Sequence, residues 1–258
     1  MNIYKQHLGF LLVFVLPLWL WLGIRYGGVW HYSNVVFVFV VVPLLDVLIG
    51  KDTHNFTKEE EKHLSEQHYY RGLLYAWLLV QTIVLMSCYY VVATSTLLPY
   101  EWIGFILSTG LITGGIGITV AHELGHKKSK IDRLASQFLL MQVAYMHFYI
   151  EHNRGHHVRV ATPEDPATSR QGESFYRFWL RTVVGSWKSA WKLEKQRLHR
   201  QNKPLWSWHN AMLWYVVLPP LFVGMVTMAI ELLQPAAQAT NCWIFAVGQS
   251  FVAFSLLE

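Results

Sequence analysis

Two short stretches, residues 122–126 and 152–157, concentrate five histidines next to long apolar runs. They read His-Glu-Leu-Gly-His and His-Asn-Arg-Gly-His-His, and their histidines are His122, His126, His152, His156 and His157. Side chains four positions apart lie on one face of a helix, about 5–6 Å apart. The two His pairs with this spacing are therefore predicted to reach one ion. His157 is predicted to point roughly 100° away, toward a second ion.

The number of imidazoles indicates the metal. Catalytic zinc usually takes three protein ligands, whereas neutral imidazole also suits iron, and an open iron position suits oxygen chemistry. We therefore predict two irons in a histidine cage, with O2 as a co-substrate and without flavin or haem in this chain. Glu123 and Glu151, each adjacent to a predicted ligand, are expected to orient the imidazoles.

The first stretch also fits a different enzyme class. His-Glu-x-x-His on a helix is the zinc metalloprotease signature, with the glutamate, here Glu123, as general base. A zinc site would need one further ligand, but the second stretch supplies three histidines. The second stretch therefore favours iron over the protease alternative.

Composition places this chemistry in a membrane. Of the 258 residues, 53% are hydrophobic and 14% charged, which predicts an all-α integral membrane protein that we treat as one domain over residues 1–258. Six apolar stretches approach the roughly 20 residues that a bilayer core requires. They cover residues 8–24, 35–50, 73–93, 102–121, 211–233 and 242–257.

The distribution of basic residues predicts the sidedness. Segments 51–72 and 122–210 hold 4 and 15 of the 21 Lys and Arg residues, so both are predicted to be cytoplasmic. We expect a multi-pass protein of the cytoplasmic (inner) membrane, with both chain ends and a helical cap that carries the histidines on the cytoplasmic side. The apolar stretch 134–150 would separate the two histidine clusters if it crossed. It is therefore predicted to be a cytoplasmic helix folded back under the bundle.

Two further segments have a structural and a functional interpretation. Gly110, Gly114 and Gly117, in the span before His122, permit close helix packing or leave width for an alkyl chain that runs toward the metals. Segment 173–204 combines eight basic residues with regularly spaced tryptophans, which predicts an amphipathic helix on the membrane surface or a face for an acidic electron carrier. Because its basic residues lie beside membrane spans, we expect no nucleic acid partner.

The two histidine stretches resemble the first two histidine boxes of the membrane alkane monooxygenases (AlkB type). The similarity runs from His122 to Lys128 and from Glu151 to Pro166, where the His152–His156 spacing differs from the His-x-x-His-His of most desaturases. The segment Asp46-Val-Leu-Ile-Gly-Lys-Asp52 and the six-span layout also fit this branch.

The resemblance implies a non-haem diiron enzyme. Such an enzyme inserts one oxygen atom of O2 into the terminal methyl group of medium-chain alkanes to give 1-alkanols. Rubredoxin supplies its electrons, with rubredoxin reductase and NAD(P)H upstream. The five histidines would be iron ligands. A fatty acyl desaturase or hydroxylase with the same diiron centre remains the alternative, and further ligands are expected past Glu258, as if the chain were truncated at its C-terminal end.

Overall fold

The protein is described by a computed structural model over residues 9–50 and 68–257, and these residues form helices without any strand. In chain order the helices are α1 (Gly9–Tyr26), α2 (Gly28–Ile49), α3 (His68–Thr94), α4 (Pro99–Gly125), α5 (Lys130–Gln142), α6 (residues 148–159), α7 (Phe175–Arg200), α8 (Ala211–Leu233) and α9 (Ala239–Ser255). The all-α prediction is thereby confirmed.

Five of the helices are long and apolar enough to cross a membrane, namely α1, α2, α3, α4 and α8. They correspond to the first five predicted spans. The sixth predicted span falls in α9, which has 17 residues. At 1.5 Å per residue this helix is about 25 Å long, slightly less than the roughly 30 Å hydrocarbon core of a bilayer.

The turn between α1 and α2 is built on two glycines. Gly27 and Gly28 have φ angles of 64° and 58°, a left-handed conformation that glycine adopts without steric cost. The Glu101 carboxylate, in the first turn of α4, accepts hydrogen bonds from the backbone N–H groups of Gly28 (2.6 Å) and Leu98 (2.8 Å). This single carboxylate joins the α1–α2 turn to the start of α4, at the end of the helix away from the histidines.

The structure does not contain the single helix predicted over residues 134–150. That helix is replaced by α5, which ends at Gln142, and a turn in which Ala144 has a φ of 52°. The side chain of Gln142 accepts a hydrogen bond from Gln81 (3.0 Å), halfway along α3. Thus α5 enters the helix bundle rather than lying beneath it. Its polar groups are tolerated there because they bind other protein groups.

The contacts of α5 extend to three other long helices. Ser136 donates to the backbone oxygen of Ala121 in α4 (2.6 Å), and Gln137 accepts from Tyr215 in α8 (3.0 Å). The backbone oxygen of Gln142 accepts from Gln249 in α9 (2.9 Å). Because α5 enters the bundle and the chain then turns back, α6 returns to the end of α4. The predicted role of this segment, bringing the second histidine cluster to the first, is confirmed.

The basic segment forms α7, as its periodicity predicts. Its buried residues include Thr182, Ser186, Ala190 and Glu194, and it packs mainly on α6. Trp187 contacts His147 edge to face, with ring centroids 4.9 Å apart. The tryptophan side of α7 therefore contacts protein, while Lys188, Lys192 and Lys195 are exposed.

Candidate metal centre

Four histidines converge where the end of α4 meets α6. The Nε2 atom of His126 lies 3.0 Å from that of His122 and 3.3 Å from that of His152. The Nε2 atom of His157 lies 3.3 Å from that of His126 and 2.9 Å from that of His152. One nitrogen from each ring lies within 4.8 Å of all the others, so the four can face one ion. The set contains neither thiolate nor carboxylate, and this imidazole donor set fits zinc, iron or a similar transition metal.

The structure corrects the predicted direction of His157, whose Nε2 atom faces that of His152 instead of pointing away from it. The reason is the backbone, since residues His152–His156 form a π-helical turn. The backbone N–H of His157 bonds to the carbonyl oxygen of His152, five residues earlier. A π turn holds one more residue than an α turn, so residues five apart come to one side. The spacing rule for α-helices therefore selects the wrong partner for His152.

The π turn directs His156 toward Asp165 and away from the four-histidine cluster. Its Nδ1 atom lies 2.9 Å from Oδ2 of Asp165, a buried carboxylate, so Nε2 is the nitrogen left for another partner. Asp165 also accepts hydrogen bonds from the hydroxyl of Thr168 (2.6 Å) and the backbone N–H of Ala167 (3.1 Å). Burial favours a raised pKa for Asp165, but these hydrogen bonds and the nearby His156 outweigh it and lower the pKa. Asp165 is thus an ionised acceptor that orients His156.

Sequence reasoning assigned no role to Asp165. The residue lies within the second similarity stretch, nine residues after His156, and is followed by Pro166. An acid that close to a histidine cluster is a candidate orienting group, because histidines that bind metals usually donate their other ring N–H to a carboxylate or carbonyl. That signal could have identified Asp165.

Two imidazoles of the cluster, those of His126 and His152, have lowered pKa values, which favours the neutral form that binds metals. Burial, followed by the neighbouring histidines, lowers the pKa of His152 to about 3. Burial also lowers the pKa of His126, with His122 and His157 contributing in the same direction. Neutral imidazole keeps a lone pair on one ring nitrogen for coordination.

The two predicted orienting glutamates occupy different environments. Glu123 is exposed, and its Oε1 lies 3.4 Å from Nδ1 of His122. Glu151 is buried, and its Oε1 accepts a hydrogen bond from Nη2 of Arg159 at 3.0 Å. Burial raises the pKa of Glu151. Glu123 thus contacts an imidazole directly, whereas the hydrogen bond of Glu151 goes to an arginine.

A cavity of about 350 Å³ opens beside the histidines. Its polar lining includes His122, His152, His156 and Glu151. The remaining wall is mostly apolar and includes Phe148, Phe178 and Leu257, the last of these just after α9. The end of α9 therefore lies on the same side of the bundle as both histidine stretches.

The three predicted channel glycines make packing contacts. A Cβ added at Gly110 would lie 2.5 Å from Cβ of Val252, and one at Gly114 would meet the backbone of Ala253, both in α9. A Cβ at Gly117 would meet the side chain of Gln81 in α3. These contacts correspond to the close-packing interpretation. Gly115, by contrast, is exposed with no atom within 4 Å of an added Cβ.

Comparison with known proteins assigns the family. The model of the fatty acid desaturase family matches residues 99–258, which begin with α4 and include the five histidines of the two stretches. The chain belongs to the fatty acid desaturase family. The match covers the helices that build the metal centre, whereas α1, α2 and α3 lie before it.

Within this broad family the chain is similar to alkane 1-monooxygenases, as its histidine stretches predict. It is 36% identical to alkane 1-monooxygenase 2 of Pseudomonas aeruginosa over 94% of the chain and 63% of the relative. It is 40% identical to alkane 1-monooxygenase of Pseudomonas putida over 77% of the chain and 50% of the relative. The Acinetobacter baylyi enzyme of the same name is 43% identical over 67% of the chain. The chain spans less than two thirds of the length of each of these relatives.

Proposed function

We propose that this protein is a non-haem diiron monooxygenase that converts medium-chain alkanes to 1-alkanols with O2. The observation that carries the proposal is the set of four imidazole nitrogens within 4.8 Å, assembled from two separate stretches on an apolar helix bundle. The family and the names of the similar relatives agree with this chemistry.

The chain's own residues divide into two groups around the irons. His122, His126, His152 and His157 would hold one iron, because their nitrogens already face one another. His156, oriented by Asp165, would present Nε2 to the second iron. Bound iron would supply the activation of O2 that C–H hydroxylation requires. The protein would contribute neutral ligands and an apolar cavity that limits the access of water.

The donor set disfavours the zinc protease alternative. A catalytic zinc keeps three protein ligands and one position for water, so four imidazoles around a tetrahedral zinc would leave no open position. Iron accepts more ligands and keeps positions free with four nitrogens bound. The contact between Glu123 and His122 also fits an orienting role better than that of a general base.

The cavity supports a narrow apolar substrate. Its volume of about 350 Å³ lies at the small end of ligand pockets, which suits one hydrocarbon chain. Thr119 and His122 both line this cavity, and the hydroxyl of Thr119 donates to the backbone oxygen of Gly115, about one turn earlier in α4. We propose that an alkane lies along this side of α4 with its methyl end at the histidines.

Two neighbouring glycines test this path. Leucine at Gly115 should leave the fold intact and reduce oxidation of long alkanes more than short ones, because its side chain would extend into open space. Leucine at Gly114 should destabilise the protein, because it would collide with the backbone of α9. Melting temperature and product yield over a series of alkanes separate the two effects. Equal loss of all chain lengths in a stable Gly115→Leu protein would contradict the path.

We also propose the membrane topology of six spans, with α9 as the sixth, and a cytoplasmic cap that contains α6, α7 and the beginning of α5, while the end of α5 reaches into the bundle. Both chain ends would then lie on the cytoplasmic side of the inner membrane. Two observations support this arrangement: Leu257 lies beside the histidines, and the cap carries most of the basic residues. Cysteine labelling near Lys188 from the cytoplasmic side only is the expected result.

Rubredoxin, reduced by its reductase and NAD(P)H, is the proposed electron donor. The exposed lysines of α7 support an acidic carrier, because complementary charge speeds encounter. A fatty acyl desaturase is the second candidate, because the matching family carries that description.

One assay separates these two functions. The full-length protein is supplied with rubredoxin, its reductase, NADH, octane and an acyl substrate of equal chain length, and the products are identified by mass. Formation of 1-octanol is expected. An unsaturated acyl product with octane untouched would replace our proposal with the desaturase.

A further inference from the structure

Arg159 lies at the end of α6 and makes three contacts around the π turn. Its Nη2 donates to Oε1 of Glu151 (3.0 Å) and to the hydroxyl of Ser189 in α7 (2.7 Å). Its Nε donates to the backbone oxygen of Gly155 inside the turn (3.3 Å). The side chains of Arg159 and Glu151 are 20% and 5% exposed, so the ion pair is largely shielded from water. Residues 151 and 159 enclose every histidine of the second stretch.

Gly155 allows this ion pair to cross the turn. A Cβ added at Gly155 would meet both carboxylate oxygens of Glu151 and would lie 2.5 Å from Nη2 of Arg159. Any side chain there would therefore displace the ion pair from the helix surface. The close passage of Glu151 and Arg159 over the turn explains why position 155, between His152 and His156, is a glycine.

The register of the turn decides which histidine joins the cluster. A π turn is an uncommon insertion of one residue into an α-helix and is frequent at functional sites. In a regular α-helix His157 would lie about 140° around the helix axis from His152 and leave the other three nitrogens. The ion pair between Arg159 and Glu151 spans the whole π turn, and the hydrogen bond from Arg159 to the carbonyl oxygen of Gly155 holds its last part.

We infer that Arg159 is a positioning residue whose ion pair with Glu151, laid across Gly155, fixes the π-helical register that places His157 in the four-histidine cluster. The guanidinium of Arg159 donates to Glu151, Ser189 and the backbone oxygen of Gly155, so it would act on His157 through the turn. The inference rests on the proposed function only in requiring that the cluster binds a metal.

The test is a Co²⁺ titration of the metal-free, full-length protein, followed by visible absorption, which reports both affinity and coordination. Arg159→Met should weaken Co²⁺ binding about 10–100-fold, the usual cost of losing a group that orients metal ligands. Its absorption spectrum should also change, because His157 leaves the coordination sphere. Arg159→Lys keeps the charge and should recover part of the affinity.

A double-mutant cycle and a matched control isolate the ion pair. Glu151→Gln combined with Arg159→Met should weaken binding no more than the stronger single change, because both remove one interaction. Arg71→Met removes an ion pair between α3 and α5, with the buried carboxylate of Asp132, and the two side chains are 50% and 3% exposed. This control should leave the Co²⁺ affinity and spectrum unchanged.

The outcomes separate this inference from the proposed function. If the wild-type protein binds no Co²⁺, the metal centre itself is wrong. If the wild-type protein binds Co²⁺ and Arg159→Met binds it with equal affinity and an unchanged spectrum, the positioning role is wrong. If Arg159→Met does not fold, Arg159→Lys and Glu151→Gln decide the matter, because unchanged affinity and spectrum in both would also overturn the role.

Discussion

The two histidine stretches share a four-residue spacing, yet they present their side chains differently. In α4 the spacing lies in an α-helix, and His122 and His126 face each other with 3.0 Å between their Nε2 atoms. In α6 it lies in a π turn, and His152 faces His157 instead of His156. Residue spacing therefore predicts metal ligands only together with the type of helix.

The two stretches also differ in what supports them. The end of α4 is held by packing, since Gly125 lies close to the Ser136 hydroxyl of α5 and Glu123 remains exposed. The second stretch is held by buried acids, with Glu151 bound to Arg159 and Asp165 bound to His156. Replacing a supporting acid should therefore weaken metal binding more at the second histidine stretch than at the first.

The largest expected effect comes from removing one proposed ligand of the four-histidine site from either stretch. His122→Ala and His152→Ala should each abolish binding at the four-histidine site and reduce turnover more than 100-fold, beyond the roughly 10–100-fold cost of losing an orienting group. Elemental analysis and 1-octanol formation measure both. His199→Ala, at the exposed end of α7, is the control. Full metal content in either ligand variant would show that the two stretches do not share an ion.

A smaller effect is expected from the acid that supports the second stretch alone. Asp165→Asn removes the negative charge beside Nδ1 of His156 and should lower the metal affinity about 10–100-fold at the second site. The four-histidine site should keep its metal, because Asp165 contacts His156 and not that cluster. Titration with Fe²⁺ under anaerobic conditions should show one site weakened and one unchanged. Uniform weakening would mean that Asp165 supports the whole centre.

The smallest effect is expected from the acid in the first stretch. Glu123→Gln should reduce turnover less than 10-fold, because the exposed carboxylate lies 3.4 Å from Nδ1 of His122 and solvent weakens the interaction. A protease would need this glutamate as its general base. Complete loss of activity in Glu123→Gln, together with one zinc per chain, would show that Glu123 acts in catalysis and would support the protease.

Much of this architecture could be predicted from the sequence. Apolar runs predict six spans, five of which are helices of membrane-spanning length in the structure, and the basic residues of segment 122–210 place both histidine stretches on one side. The entry of α5 into the bundle could not be predicted, because it depends on Gln142 meeting Gln81 from a distant helix. The π turn could not be predicted either, since the local sequence gives the histidines without the contacts of Arg159 that span them.

The glycine run shows a similar limit. The sequence identifies Gly110, Gly114 and Gly117 as places for close packing or for a substrate, and these alternatives depend on which helix lies opposite. The structure gives all three a protein neighbour and leaves Gly115 open. The sequence gives the size of each side chain, but it does not give the residue that lies opposite it across a helix interface.

In the structure His157, rather than His156, completes the four-histidine cluster. The direct test is the metal content and Co²⁺ absorption spectrum of His157→Ala and His156→Ala in the full-length protein. We predict that His157→Ala loses the four-nitrogen spectrum, while His156→Ala retains it and loses metal only at the second site. Retention of that spectrum in His157→Ala, with its loss in His156→Ala, would show that His156 and not His157 belongs to the four-histidine site.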